Sequence, residues 1–155
     1  MITEFTGQYR FLSNFWDLTQ HAHCVKCSFG ITYPTVEHAY QASKSINKDI
    51  RLYISHLSTP DKARKEGREL ATGSKWDRAK VQIMEDLVRQ KFTGCNELKD
   101  MLLSTGIQQI MEGNRWNDTF WGAIWTEDRF GGGEWVGENH LGKILMKIRE
   151  ELRNE

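Results

Sequence analysis

The sequence has no excess of charge of either sign. Its 21 lysines and arginines balance 21 aspartates and glutamates, so the formal net charge is zero. Proteins whose main partner is duplex DNA usually carry a basic excess. The balance therefore argues against that class of partner, although it leaves room for a local basic pocket that binds phosphate.

The sequence also lacks an apolar run of about 18 residues, the length that suggests a membrane-spanning helix. Its first residues, Met1-Ile2-Thr3-Glu4, are not a basic segment followed by an apolar one, so no signal peptide is predicted. We therefore expect a cytoplasmic protein without a membrane partner.

Cysteines are few, and the three present are an odd number that fits a reducing compartment. The segment His21-x-His23-Cys24-x-x-Cys27 has the composition of a metal site. However, residues 25–33 alternate in the manner of β structure, and in an extended strand Cys24 and Cys27 point to opposite faces. With no glycine-rich phosphate loop of the usual spacing either, we predict no metal and no cofactor.

A polar helix face is the most informative feature that is present. Thr35 follows Pro34 and can cap a helix over residues 36–46. At about 100° per residue, Glu37, Gln41 and Lys44 fall within an arc of roughly 60°, with Tyr40 beside them. Such a face can hold an acid/base group and an amine nucleophile close together. The alternative is a solvated polar stripe without chemistry.

The rest of the chain predicts mainly helices. Ser58-Thr59-Pro60-Asp61 starts a helix that reaches about residue 70, and apolar spacing predicts an amphipathic helix over residues 76–92. Residues 50–57 either continue the first helix or form a second short one. Further helices are expected after Asn96 to about residue 103 and after Asn139 to about residue 152. Residues 1–33 are expected to be partly irregular and partly β, and residues 107–111 are expected to form a strand. The predicted fold is α+β, mainly helical with a small β component, in one domain over residues 1–155.

Four of the six tryptophans crowd into residues 116–135, where no helical period appears. We interpret residues 113–138 as a long loop, which inside a domain is usually functional. Its tryptophans could stack on a base or fill the core. A surface insertion is the other interpretation, although disordered segments are poor in aromatic residues.

Several motifs together resemble the NADAR family of N-glycosidases. The principal one is Tyr-Pro-Thr-x-Glu-His-x-x-Gln-x-x-Lys, which spans residues 33–44. The other blocks follow in order from about residue 5 to residue 152: Phe11-Leu12-Ser13-Asn14-Phe15, Gly67-Arg68, Trp76 with Lys80-Val81 and Met84, Asp118-x-x-Trp121-Gly122, and Gly137-x-Asn139-x-Leu141-Gly142. Each block alone is weak evidence for the family, but all of them in this order are specific to it.

The resemblance implies cleavage of an N-glycosidic bond to ribose. Two substrate classes are associated with the family: phosphorylated ribosylamino-pyrimidine intermediates of riboflavin synthesis, and ADP-ribose attached to guanine in nucleic acid. In both, C1 of the ribose is bonded to an exocyclic amine of a heterocycle. We expect ADP-ribosylated guanine, in a nucleotide or in nucleic acid, to be the substrate partner, with the riboflavin intermediate as the alternative.

The family motif implies catalytic roles for Glu37 and Lys44. Lys44 would supply the amine that forms a Schiff base with C1, and Glu37 would move the proton. Burial lowers the pKa of a lysine and a neighbouring carboxylate raises it, so the sequence leaves the charge of Lys44 open. The alternative chemistry pairs Glu37 with Asp118 as two carboxylates, without a covalent lysine.

The resemblance also implies a set of substrate-binding residues, for most of which a structural role is an open alternative. Arg68 would capture phosphate or lie on the surface, Trp121 would stack on the base or fill the core, and Asn139 is explained by helix capping alone. His38 is expected to pack and hydrogen-bond rather than to react. The substrate-binding set is Asn14, Tyr40, Gln41, Arg68, Trp76, Trp121 and Asn139. A module that binds ADP-ribose or nucleotides without turnover is the non-enzymatic alternative.

Overall fold

The computed structural model describes residues 1–155 and has six α-helices and two small sheets. The helices are α1 (Val36–Ala42), α2 (Lys48–Ser55), α3 (Pro60–Arg68), α4 (Ser74–Thr93), α5 (Asn96–Ser104) and α6 (His140–Arg153). The strands are β1 (Val25–Lys26), β2 (Thr32–Tyr33), β3 (Ile124–Glu127) and β4 (Gly133–Val136), and the 3₁₀ segments are Gly7–Leu12, Leu18–His21 and Ser28–Gly30. The prediction of a mainly helical α+β fold is confirmed.

The chain divides into two compact units, which are described separately. One comprises residues 14–99, and the other comprises residues 1–13 with residues 100–155. The boundary falls within α5. The prediction of one domain over residues 1–155 stays a prediction.

The unit of residues 14–99 is built around α1. This short helix packs against α2, α3 and α4 and against the antiparallel pair β1–β2, in which Val25 faces Tyr33. All seven residues of α1 are buried, including its polar ones. The buried apolar side chains of the unit are Leu18, Val25, Ile31, Tyr33, Val36, Ala39, Tyr40, Ala42, Ile54, Ala63, Met84, Leu87, Val88, Phe92 and Leu98.

The unit of residues 1–13 and 100–155 contains α6 and the β3–β4 hairpin. The hairpin is antiparallel, and its central pair is Trp125 with Trp135, whose rings meet edge to face at 5.5 Å. The prediction of a structureless loop over residues 113–138 was therefore wrong in part. The expected strand over residues 107–111 was also wrong, because only Ile110 forms a bridge, to Ile2.

Hydrogen bonds within the turn between β3 and β4 stabilise this hairpin of short strands. Oδ1 of Asp128 accepts hydrogen bonds from the backbone N–H groups of Phe130 and Gly132, at 2.8 Å and 3.0 Å. Gly131 has a φ of 84°, in the left-handed region that favours glycine. The turn and the tryptophan pair thus stabilise strands of only four residues.

The helix boundaries differ from the sequence-based ones by a few residues, with one consequence for the site. The first helix ends at Ala42 instead of residue 46, so Lys44 lies in the turn that follows it. Asn47 then caps α2 by accepting hydrogen bonds from the N–H groups of Asp49 and Ile50. No helix of the fold combines the length and the apolar character that crossing a bilayer requires.

The side chain of Lys91 in α4 is buried, with 1% of its surface exposed, and its Nζ lies 5.0 Å from the centre of the Phe92 ring. Burial lowers the pKa of Lys91 from 10.5 to about 7. In the unfolded chain the amine would titrate near its ordinary value. Between these two pKa values the unfolded chain binds more protons than the folded protein.

We therefore predict that the free energy of unfolding rises with pH from about 7 towards 10, by at most about 1.4 kcal/mol per pH unit from this group. The contribution is constant below about pH 7, where Lys91 is protonated in both states. Urea unfolding at pH 7, 8 and 9 measures it. Lys91→Met should flatten the dependence, while Lys75→Met, at an exposed position of the same helix, should not. Equal slopes for the wild type and Lys91→Met would contradict the prediction.

Candidate active site

The candidate site is built on α1, which begins at a well-defined cap. Thr35 Oγ1 accepts a hydrogen bond from the His38 N–H at 3.1 Å. The His38 ring lies between Thr35 Oγ1 (2.8 Å from Nδ1) and the Leu57 carbonyl oxygen (2.9 Å from Nε2). A carbonyl only accepts, so Nε2 carries the proton and Nδ1 accepts from the Thr35 hydroxyl. Burial is the main cause that lowers the pKa of His38. His38 thus has the hydrogen-bonding role that the sequence favoured.

Glu37 and Gln41 form a buried pair on α1, one helical turn apart. Gln41 Nε2 donates to Glu37 Oε1 at 2.7 Å, and the two residues are 5% and 7% exposed. The backbone N–H of Glu37 donates to the Asn14 carbonyl at 3.1 Å, and Asn14 Nδ2 contacts Met84 Sδ at 3.4 Å. The Gln41 amide therefore orients the carboxylate of Glu37, while Asn14 holds the backbone of that residue.

The amine of Lys44 returns towards α1 and α3, although Lys44 itself follows the end of the helix. Its Nζ lies 5.8 Å from the centre of the Tyr40 ring and 3.5 Å from the Gly67 carbonyl oxygen. The Trp76 ring, on α4, packs against Tyr40 with the ring centres 5.3 Å apart and the planes tilted by 50°. An amine, a carboxylate and two aromatic rings thus gather around one side of α1.

The charge of Lys44 results from opposing effects. Burial is the largest one and lowers the pKa of the amine, and the cations of Arg68 and Lys80 lower it further, while the carboxylate of Glu37 raises it. The net direction is down from the ordinary value of 10.5. The sequence left this balance open, and in the fold burial outweighs the attraction of Glu37. The neutral amine, the form that can attack carbon, is therefore easier to form than in a fully solvated lysine.

Two residues of this group lie outside the set that the sequence had assigned to the site. Lys80, one turn after Trp76 on α4 and paired with Asp77 at 3.6 Å, contributes its charge at Lys44. Gly67 contributes the carbonyl that Lys44 contacts. The four-residue spacing of Trp76 and Lys80 and the presence of a glycine inside a predicted helix were the available signals.

The other three residues of the predicted site lie in the unit of residues 1–13 and 100–155, where each has local structural contacts. Asp118 Oδ1 accepts from the N–H groups of Phe120 and Trp121 at 3.1 Å and 2.8 Å. The Trp121 ring packs edge to face on Phe120 at 4.9 Å and lies 6.2 Å from the ring of His140. These contacts account for Asp118 and Trp121 without a ligand.

Asn139 does not cap α6 with its side chain, so that prediction was wrong. Its backbone is left-handed, with a φ of 51°, and the side chain makes no cap hydrogen bond. Instead, Oδ1 accepts from the Glu112 N–H at 3.1 Å and Nδ2 donates to the Ile110 carbonyl at 3.0 Å. Asn139 therefore fastens the start of α6 to residues 110–112.

A cavity of about 510 Å³ in the unit of residues 14–99 is not the candidate site. Its lining has no carboxylate and no lysine, and it includes none of the predicted site residues. The lining residues are Thr19, Cys24, Gly30, Ile31, Thr32, Tyr33, Pro34, Leu52, Ser55 and His56. The chemistry of Glu37 and Lys44, rather than the size of a cavity, identifies the candidate site.

Comparison with known proteins agrees with the motifs. An N-glycosidase of Nostoc punctiforme is 39% identical over 127 residues, which cover 79% of this chain and 76% of that protein. N-glycosidase YbiA of Escherichia coli is 35% identical over 128 residues, covering 81% of this chain and 74% of that one. The NMR structure of E. coli YbiA matches 99% of this chain and 86% of its own, with a TM-score of 0.74 and 33% identity.

A relative with a different name is similar over more of the chain. A riboflavin biosynthesis protein of Vibrio vulnificus is 35% identical over 147 residues, which are 92% of this chain but 35% of that longer protein. The family model of the NADAR domain matches residues 3–153. The chain therefore belongs to the NADAR family.

Proposed function

We propose that this protein is an N-glycosidase that hydrolyses the bond between C1 of a ribose and an exocyclic amine, and that its substrate is ADP-ribosylated guanine in a nucleotide or nucleic acid. The observation that carries the proposal is the buried Glu37 carboxylate beside a half-buried Lys44 amine whose pKa is lowered. The names of the N-glycosidase relatives support the same reaction class.

The proposed reaction begins at the sugar ring. Glu37, in its protonated form, gives a proton to the ring oxygen, the bond from that oxygen to C1 breaks, and C1 becomes an iminium with the exocyclic nitrogen of the base; the resulting carboxylate takes a proton back from water later in the cycle. The neutral amine of Lys44 adds to C1. After a proton moves from the lysine nitrogen to the base nitrogen, the base leaves as its free amine and C1 is joined to Lys44 as a Schiff base.

Hydrolysis completes the cycle. Water, which Glu37 deprotonates, adds to C1 of the Schiff base; the proton of the new hydroxyl group then passes to the lysine nitrogen as the bond from C1 to Lys44 breaks. The amine is regained, and the sugar aldehyde closes again to its ring. The partly exposed ring of Trp76, which packs on the buried ring of Tyr40, offers a surface for a flat heterocycle, and Arg68 and Lys80 offer positive charge for phosphate.

The second candidate substrate is a phosphorylated ribosylamino-pyrimidine intermediate of riboflavin synthesis. The name of the Vibrio vulnificus relative favours it, and the same two cations would suit its single phosphate. Initial rates with ADP-ribosylated guanosine and with the phosphorylated pyrimidine, compared side by side, test the choice. We expect a larger kcat/KM with ADP-ribosylated guanosine. A larger kcat/KM with the phosphorylated pyrimidine would make that compound the proposed substrate instead. Binding of either compound without turnover would favour a binding module.

Glu37→Gln should lower kcat by roughly 10² to 10⁴-fold, because the shape is kept and the proton transfer is lost. Steady-state rates and circular dichroism measure the effect and the fold. Glu69→Gln, which changes an exposed carboxylate just after α3, is the matched control and should keep the wild-type rate. Activity of Glu37→Gln within about threefold of the wild type would remove Glu37 from the proton transfer.

Borohydride added during turnover should reduce the Schiff base, and mass spectrometry should then find the sugar on the peptide that contains Lys44. Lys44→Arg should lose both the adduct and turnover, since a guanidinium stays protonated and cannot attack. Lys48→Arg, at an exposed position of α2, should retain both. No adduct together with an active Lys44→Arg variant would reject the covalent lysine and favour a mechanism in which Glu37 acts without it.

A further inference from the structure

Gly67 lies inside α3 and faces α1 with no side chain between them. It is buried, although glycine is a poor helix former compared with alanine. A Cβ added at this position would lie 1.8 Å from Gln41 Oε1, 2.6 Å from Gln41 Cδ and 2.9 Å from Gln41 Cβ. The space that a side chain of residue 67 would need is therefore occupied by Gln41.

The Gln41 amide that occupies this space is held at one end only. Nε2 donates to Glu37 Oε1 at 2.7 Å, while Oε1 is buried and accepts no hydrogen bond. An unpaired buried acceptor is a cost that the fold could avoid with a different rotamer. The amide keeps its orientation because it fits between Glu37 and the bare backbone of Gly67.

Gly67 also contacts the second reacting group. Its carbonyl oxygen lies 3.5 Å from Lys44 Nζ, at the outer limit of a hydrogen bond. One residue of α3 thus meets both the amide that orients Glu37 and the amine of Lys44. The backbone of Gly67 therefore influences the positions of both the Glu37 carboxylate and the Lys44 amine.

We propose that Gly67 is a positioning residue that presses the Gln41 amide against Glu37 and receives Lys44 on its carbonyl, and so fixes the separation of the carboxylate and the amine. The role in catalysis rests on the proposed function, in which these two groups act on the N-ribosyl bond. Gly67 itself does not touch the substrate in this proposal.

A methyl group at position 67 would disturb both contacts. The end of Gln41 is flexible, so the amide would rotate away, and its hydrogen bond to Glu37 would break. Rotation of the amide does not relieve the contact with Gln41 Cβ, so α1 and α3 would also move apart. Lys44 Nζ would then lose the Gly67 carbonyl and become more exposed to water.

The test compares Gly67→Ala with the wild type on ADP-ribosylated guanosine. We expect kcat to fall by roughly tenfold or more with KM changed by less than about threefold, because the loss is one of orientation. Ala63→Ser adds one atom to the buried side of the same helix one turn earlier and should leave kcat unchanged. Circular dichroism and thermal unfolding identify any variant that fails to fold.

A double-mutant cycle shows whether the effect passes through Gln41. In Gln41→Gly both the colliding amide and the Cβ of residue 41 are absent, so adding Gly67→Ala should lower kcat by no more than about threefold. A tenfold loss that persists in this background would overturn the proposal. If Gly67→Ala does not fold, Gln41→Asn tests the same idea. The shorter asparagine amide cannot reach Glu37, while Gly67 is unchanged. Wild-type kcat in Gln41→Asn would also overturn it.

A second readout does not depend on turnover. Labelling of the Lys44 amine by acetic anhydride as a function of pH, followed by mass spectrometry, reports the pKa of this group. Gly67→Ala should move the midpoint upward by about half a pH unit or more, because the amine becomes less buried, and Ala63→Ser should not. An unmoved midpoint in a folded Gly67→Ala protein would overturn the positioning of Lys44. A moved midpoint in proteins that turn over no substrate would support it and reject the proposed function instead.

Discussion

The burial of α1 on all sides is the constraint on which the candidate site depends. A helix of seven residues is too short to be stable alone, so α2, α3, α4 and the β1–β2 pair must hold it. Its polar residues are buried as a consequence, and each needs a partner. His38 is satisfied by Thr35 and Leu57, and Glu37 receives Gln41. The same packing that stabilises the helix therefore fixes the direction of the carboxylate.

Burial also decides the chemistry available to Lys44. A carboxylate close to an amine normally keeps the amine charged, and a charged amine cannot add to carbon. Here the loss of water and the nearby cations of Arg68 and Lys80 outweigh Glu37. In the proposed reaction the two cations have two roles. They lower the pKa of the Lys44 amine, and they attract the phosphate of the substrate. A bound phosphate would offset their charge, so their influence on Lys44 is strongest before the substrate arrives.

The parts of the fold that the sequence predicted well are those with local signals. Thr35 and Thr59 cap α1 and α3 as expected, and the apolar spacing of residues 76–92 marks α4 to within two residues. The β3–β4 hairpin was missed because its strands have only four residues, and the pairing of Trp125 with Trp135 across the turn is not a local pattern. The early end of α1 was missed because the capping of α2 by Asn47 competes with continuation of the helix.

The residues of the candidate site also separate into those that local sequence patterns predicted and those that depend on helix packing. Helical spacing alone brought Glu37 and Gln41 to one face, since that pairing needs only the period of the helix, whereas Lys44 lies in the turn after α1 and its amine returns towards the helix. Gly67 and Lys80 belong to other helices, and their place beside Lys44 follows from how α3 and α4 pack on α1. Asn139 illustrates the opposite error: a residue type favoured at helix starts was assumed to cap, but a left-handed backbone turned its amide to Ile110 and Glu112. The hydrogen-bond partners of a polar residue in a family motif thus show what that residue does for the fold.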